Sequence, residues 1–498
     1  MTRPPALLIP SLMLLAACKS LPENSSSKSP VPVAGAPTAT FGVPVPDSFQ
    51  LANGLKVWVL PTRQVPLVSL SLVVRSGSSR DPAGKEGLAA LTADMLDEGS
   101  GDRSALEVAD EVEYLGADLA VDLQKEQLEV SLETLKRNLD PALDLFADVA
   151  LRPRFEAKEW ARVKPLALND IAQRHEEARD VARVVSERTF YGPGHPFSHP
   201  TDGYEATVKT LNIEDVKNFY AAHVRPENAM ILATGDVSME DLRPRLESRF
   251  GSWKGEGVAP PSPARTPEPA GHVGARLIIV DKPNAPQTEF RILLPGPAHG
   301  EPRIAPLSLA NTILGGTFTS RLVTNLREKH GFTYGASSML QVRSLAGHVV
   351  QGSAIATPKT GLALVEFWRE ITAMETGKFE ADELQKSRST HKSRLVEALE
   401  TQDSTLKLFL QSAAMRSGPT ERKEYFERLE KTTDAEVSRE SAAVYRWDAA
   451  TIVLVGDRKT IVEQIAKIEK TLPPSANGKS WHIPRPEFLG RDGEPLPE

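Results

Sequence analysis

The chain has 498 residues, 40% hydrophobic and 25% charged, enough to bury two sizeable cores and too apolar for a disordered polymer. Its formal net charge of −7, with Lys and Arg interleaved among Asp and Glu, excludes the basic stripe of a nucleic-acid binder. The single cysteine, Cys18, excludes an internal disulfide.

Met1 to Ala17 carries Arg3 and then an apolar stretch through Leu7, Leu8, Ile9, Leu12, Met13, Leu14 and Leu15. It falls short of the roughly 20 apolar residues of a membrane-spanning helix, but it has the layout of a secretory signal. Leu15-Ala16-Ala17-Cys18 resembles a bacterial lipobox. The resemblance implies a signal peptide over residues 1–17 and lipidation of Cys18, with the chain expected in the cell envelope, lipid-anchored on the periplasmic side. An ordinary secretory signal with an incidental cysteine is the plainer alternative. Residues 18–45, rich in Ser, Pro, Ala and Thr, read as a flexible tether.

Regular structure is expected from Phe49 onward. Lys56 to Leu60 and the alternating Leu67 to Val74 read as strands, and Asn53-Gly54 as a turn. Leu88, Leu91, Met95 and Leu96 share a helical face within Glu86 to Leu96, with Gly99 and Gly101 as stops. Amphipathic helices follow at Glu107 to Leu115 and Arg137 to Leu151, separated by strand-like Ala117 to Leu132. One long helix is expected from Glu156 to about Phe190, ended by Gly192-Pro193-Gly194.

Residues 256–274, with Pro260, Pro261, Pro263, Pro267 and Pro269, form a domain linker. Beyond it the programme repeats. Strands are expected at Arg276 to Asp281, Thr288 to Leu294, Tyr334 to Val342 and His348 to Ala354. Helices are expected at Ile304 to Leu314, Ser320 to Lys329, Lys359 to Glu375 and Ala381 to Ser417, and residues 475–498 read as a polar tail strapped over the surface or disordered.

The repeat is visible in the letters. Ala142-Leu143-Asp144-Leu145-Phe146 returns as Ala363-Leu364-Val365-Glu366-Phe367, Phe155-Glu156-Ala157 as Phe379-Glu380-Ala381, and Ile231 to Asp236 as Ile452 to Asp457, at offsets of 221 to 224. This period is far longer than the roughly 20 to 50 residues of a solenoid. It describes a duplicated domain, with lobes at residues 46–255 and 275–474. Each lobe mixes hairpins with helices, so the expected class is α+β, a largely antiparallel sheet with packed helices, two lobes forming a half-clamshell around a cleft.

The run Val73 to Asp81 and the helix opening at Gly87-Leu88-Ala89 stand in the first half. The second half holds Asp281-Lys282-Pro283, Gln287-Thr288, Leu314-Gly315-Gly316, Ser320-Arg321-Leu322, Leu326-Arg327-Glu328 and Gly331-Phe332-Thr333-Tyr334. In this order, and with the duplication, they resemble the pitrilysin/insulinase metallopeptidases, the inverzincins, over roughly Ser48 to Leu472.

Peptidases of that family carry His-x-x-Glu-His on a first-lobe helix, where two imidazoles hold zinc and the glutamate activates its water. Here the motif falls on Ala90-Leu91-Thr92-Ala93-Asp94, so Ala90, Ala93 and Asp94 stand where the histidines and the glutamate would be, and the distal glutamate ligand falls on Asp170. The resemblance therefore implies a degenerate zinc motif and no metal in this chain. Two carboxylates alone do not make an ordinary zinc site. His195 and His199 lie in a loop that resembles the family's His-Pro-aromatic packing loop, and His175 reads as part of a solvated helix face.

Some bacterial members of the family work in pairs, in which the subunit without zinc contributes an arginine and a tyrosine from its second lobe. The matching positions are Arg327 and Tyr334, seven residues apart. A guanidinium and a phenol can hold a peptide carbonyl and stabilise an oxyanion; the plainer alternative is a surface ion pair and a packed strand residue. Gly315-Gly316 reads either as a substrate-touching loop or as a helix stop in the left-handed conformation.

The expectation is a membrane-tethered lipoprotein that serves as the zinc-free subunit of a hetero-oligomeric metalloendopeptidase acting on peptides. Its partner would be a zinc-bearing paralogue that holds the only zinc. The alternative is a non-enzymatic peptide-binding or scaffold protein of the cell envelope. Neither reading involves nucleic acid.

Overall fold

Both halves of the duplication fold as a six-stranded mixed sheet covered by helices. The computed structural model describes residues 42–255, 274–469 and 483–496, so Cys18, the signal segment and nearly all of the tether and the linker lie outside the described residues. The first lobe runs β1 (Asp47–Gln50), β2 (Lys56–Pro61), β3 (Leu67–Val74), α1 (Leu88–Asp94), α2 (Ala105–Leu115), β4 (Asp118–Leu123), β5 (Leu128–Leu135), α3 (Leu139–Leu151), α4 (Ala157–Glu176), α5 (Ala178–Tyr191), α6 (Glu205–Thr210), α7 (Ile213–His223), β6 (Ala229–Gly235) and α8 (Met239–Phe250). The second runs β7 (Arg276–Asp281), β8 (Gln287–Gly296), α9 (Ile304–Gly315), α10 (Arg321–Val323), β9 (Ala336–Gln341), β10 (Gly347–Ala356), α11 (Thr360–Glu375), α12 (Ala381–Ala398), α13 (Gln402–Ala414), α14 (Glu421–Lys431), α15 (Asp434–Val444), β11 (Thr451–Gly456), α16 (Arg458–Ile468) and β12 (Pro486–Leu489).

The strand orders are β1-β2-β6-β3-β5-β4 and β12-β7-β11-β8-β10-β9, so five strands correspond one to one and only the edge strand differs. Register is conserved as well. Leu70 pairs with Ala233 and Leu132 in the first sheet, while Phe290 pairs with Leu454 and Ser353 in the second, offsets of 220, 221 and 221. Side chains on a strand alternate between faces, and a one-residue slip would turn the apolar set to the wrong side. The shared register is therefore what keeps two cores alike.

The central strands of each sheet are buried on both faces. Val57, Val59, Ile231 and Ala233 point to the first lobe's own helices, whereas Trp58, Leu60, Met230 and Leu232 point the other way and are covered by Leu406, Phe409, Leu410 and Ala413 of α13, from the second lobe. The exchange is reciprocal, since Val181, Ala182 and Val185 of α5 cover Ile278, Val280, Val453 and Val455 of the second sheet. Burying a large apolar side chain contributes about 1.5–3 kcal/mol, so these crossed helices bind the lobes into one compact unit.

The exchange explains where the expected elements fail. The helix expected from Glu156 to Phe190 is two helices broken at Glu177, which is extended (φ −97°, ψ 108°), and the break frees α5 to reach the other sheet. The helix expected over Ala381 to Ser417 breaks before Thr401, whose hydroxyl caps α13 by accepting from the Ser404 N–H. Strand-like Ala117 to Leu132 is the hairpin β4–β5. The described part of the tail, expected either strapped over the surface or disordered, adds β12 as a parallel edge strand on β7. It then runs to the first lobe, where Asp492 meets Arg174 and His175.

Candidate functional site

α1 carries Ala90, Ala93 and Asp94, the positions expected to be a degenerate zinc motif. Its N-terminus is held by the Asp81 carboxylate, which accepts from the backbone N–H groups of Gly87 and Ala89, both at 2.8 Å, satisfying two donors that a helix start leaves open. Burial pushes the Asp81 carboxyl up to about 8 despite these two bonds. Gly87 and Gly203 sit back to back, and a Cβ on Gly203 would lie 2.1 Å from the Glu86 carbonyl oxygen. Only glycine permits that approach.

Along α1, Ala90 is half-buried, Ala93 is buried and Asp94 is exposed at the last turn. Although Asp94 meets solvent, the surrounding protein displaces much of its water, and Asp97, Asp170, Glu98 and Asp202 repel its charge, which together push its pKa up to about 6. The structure thus brings Asp94 and the exposed Asp170 of α4 within electrostatic range of each other. The donor set does not fit the family's zinc: Ala90 and Ala93 have no ligating atom. Among the described residues no group of three or more His, Cys, Asp and Glu side chains is placed to hold a metal ion.

The histidines are otherwise occupied. His195 and His199 are buried; the His195 ring stacks on Tyr191 at 4.6 Å, and its Nδ1 accepts from the Phe197 N–H. His175, expected on a solvated face, lies 2.9 Å from an Asp492 carboxylate oxygen in the tail.

Arg327 lies in the π-helical turn Thr324–Lys329, a rare geometry often found at functional sites. Its guanidinium Nε is 3.3 Å from Glu328, and the side chain is 43% exposed. Tyr334 is 91% exposed, yet its backbone is fixed. The neighbouring Thr333 hydroxyl donates to the Ala354 carbonyl and accepts from the Gly335 N–H. Arg327 and Tyr334 therefore lie on one short stretch that leads from α10 into β9, with both side chains reaching solvent and the Arg327 Nε engaged by Glu328.

Gly315 and Gly316 end α9, but not as a left-handed stop. Gly316 has φ −87°, an ordinary right-handed value. The glycine at 315 answers a steric need, since a Cβ there would sit 2.3 Å from the backbone nitrogen of Ser338 in β9.

Sequence reasoning missed Asp81 and a buried ion cluster between the lobes. In that cluster Glu187 of α5 faces Lys125 at 3.5 Å and Arg343 at 2.8 Å. Asp81 stood within a run already singled out, and its place six residues before Gly87 was the available signal.

Residues 57–193 match the profile described as insulinase (peptidase family M16), and residues 210–390 match the profile described as peptidase M16 inactive domain. An uncharacterized zinc protease of Mycobacterium tuberculosis is 27% identical over 304 residues, covering 61% of this chain and 68% of that protein. The uncharacterized zinc protease YmxG of Bacillus subtilis is 23% identical over 290 residues, covering 58% and 69%. Among solved structures, a peptidase M16 inactive domain from Pseudomonas fluorescens superposes with a TM-score of 0.76 at 24% identity, covering 83% of this chain and 98% of that one. A protease from Helicobacter pylori gives 0.76 at 19% identity, covering 82% and 100%. These two structural likenesses speak to the fold.

Proposed function

This chain belongs to the insulinase family, peptidase family M16, and from that premise we propose that it is the zinc-free subunit of a two-chain metallopeptidase. The observation that carries the reading is an asymmetry between the lobes. The first-lobe helix offers alanines at two of the three motif positions, while the second lobe presents Arg327 and Tyr334 to solvent on a backbone pinned by Thr333. In this reading a zinc-bearing paralogue holds the metal and activates the water. This chain closes the chamber around a peptide, and Arg327 and Tyr334 donate to the scissile carbonyl as it becomes an oxyanion. The signal segment and Cys18 would tether the complex to the envelope membrane on its periplasmic side.

The test is peptidase activity on a quenched fluorescent peptide, with this chain alone, a zinc-bearing paralogue alone, and the two mixed with zinc. Activity above the paralogue's own is expected only in the mixture. Loss of one oxyanion donor costs on the order of 10²-fold in kcat, and a loss of that size is expected for Arg327→Ala, with a smaller one for Tyr334→Phe. A mixture no more active than the paralogue alone, with no complex on gel filtration, would leave the non-enzymatic peptide-binding or scaffold role as the better account.

A further inference from the structure

The sequence run Val73 to Asp81 contributes Arg75, which the peptidase reading leaves without a task. Arg75 lines a cavity of about 420 Å³ between the first sheet and the segment that follows α13, together with Lys56, Arg416, Ser48, Ser417 and Trp58. Three cations therefore meet in one pocket. Its one lining carboxylate, Glu227, is paired with Arg225 at 2.6 Å.

Among the described residues the two arginines meet neutral partners. Arg75 donates from Nε to the Ala413 carbonyl at 2.8 Å and lies against the Met230 sulfur, while Arg416 donates to the Asn228 side-chain oxygen at 2.9 Å. Burial first, and then the Arg416 guanidinium, hold the Arg75 pKa down to about 10. Burial, and then the same Arg416 charge, also lower the Arg80 pKa. Arg75 is half-buried while Lys56 and Arg416 are exposed at the cleft mouth, and like charges gathered there leave a place for an anion.

The backbone adds a separate observation. Arg416 has φ 59°, and the N–H groups of Arg416 and Ser417 bond the Ala413 and Ser412 carbonyls. That is a Schellman helix end, whose left-handed position is normally glycine. An arginine thus stands where a side chain is strained, and such strain concentrates at ligand clamps.

We propose that this pocket binds the phosphate group of an organic phosphomonoester. Its lining carries three positive groups against one engaged carboxylate, a net charge of +2 that suits a phosphate dianion better than a carboxylate. Arginine forks match phosphate oxygens in pairs. The volume lies within the roughly 300–1,000 Å³ of small-molecule sites, which leaves room beside the arginines for the organic body. The phosphate could belong to a soluble ester or to a lipid headgroup.

Calorimetric titration of the full chain with inorganic phosphate, glycerol 3-phosphate, acetate and phosphatidylcholine vesicles containing phosphatidic acid tests this. Saturable binding of phosphate or of a phosphate ester is expected, weakened about tenfold or more by Arg416→Gly. That variant relieves the backbone strain, so its ligand-free melting temperature should not fall, which separates lost binding from lost folding. Tighter binding of the soluble ester than of vesicles points to a soluble ligand, and the reverse to a headgroup. No saturable binding by any phosphate probe, acetate binding as tightly as phosphate, or an undiminished affinity in Arg416→Gly overturns the assignment.

Discussion

At Gly315 the end of α9 comes so close to β9 that an added Cβ would sit 2.3 Å from the Ser338 nitrogen. The backbone neighbour cannot swing away as a side chain could, so Gly315→Ala must move β9 or the helix. Overpacking of this kind costs about 1–3 kcal/mol, and urea denaturation is expected to show a loss in that range. A variant as stable as the parent would mean that β9 yields freely and that the glycine serves another purpose. The helix that carries Ala90, Ala93 and Asp94 was legible in the letters because its apolar spacing is local. The reason for Gly315 was not, because it depends on a strand more than twenty residues later. The same holds for Asp81, whose bonds to the start of α1 span a loop that no periodicity reports.

Among the elements, α5 and α13 do the most to join the lobes, and sequence pattern hid both. Glu177 is a good helix former, so nothing local announces a break there. The break exists because Val181, Ala182 and Val185 find the second sheet beyond it. The strands and their order of appearance could be read, since alternation and buried runs are local properties, but the exchange of helices is a tertiary fact. It has a measurable consequence at Phe409, fully buried in α13 against Trp58 and Met230 of the first sheet. Phe409→Ala leaves a cavity at the joint and is expected to cost about 3–5 kcal/mol by chemical denaturation. Because the cavity lies between lobes, both should still unfold in one transition. If the first lobe melted separately in the parent protein, the crossed helices would not couple the two cores.

On the scale of the whole molecule, the lobes also meet through charge. The loops joining β4 to β5 and β9 to β10 are counterparts in the two halves. They converge on Glu187, which pairs with Lys125 of one and Arg343 of the other. Burial alone would raise the Glu187 carboxyl, but the two cations hold it down to about 2. Beside it, fully buried His348 lies 2.7 Å from the Tyr191 hydroxyl, and burial, followed by the Arg343 charge, pushes its pKa down to about 3. These shifts set separate acid windows. Below the ordinary histidine value near 6.5 the unfolded chain takes up a proton that folded His348 refuses, so stability falls with pH from there toward 3. Glu187 adds its loss only below about 4.5 and through to 2. Asp81, raised to about 8, acts with the opposite sign, since its folded form keeps a proton that the unfolded chain has released above about 4. A single variant isolates the histidine. His348→Gln keeps a polar side chain toward Tyr191 and removes the titration, so at neutral pH it should be less stable by about 1 kcal/mol. That deficit should shrink as pH is lowered from 6.5 to 4, because only the parent must keep a buried imidazole neutral. Melting curves of the two proteins across this range decide the matter, and a constant or widening deficit would show that the buried imidazole does not carry the acid sensitivity of the joint between the lobes.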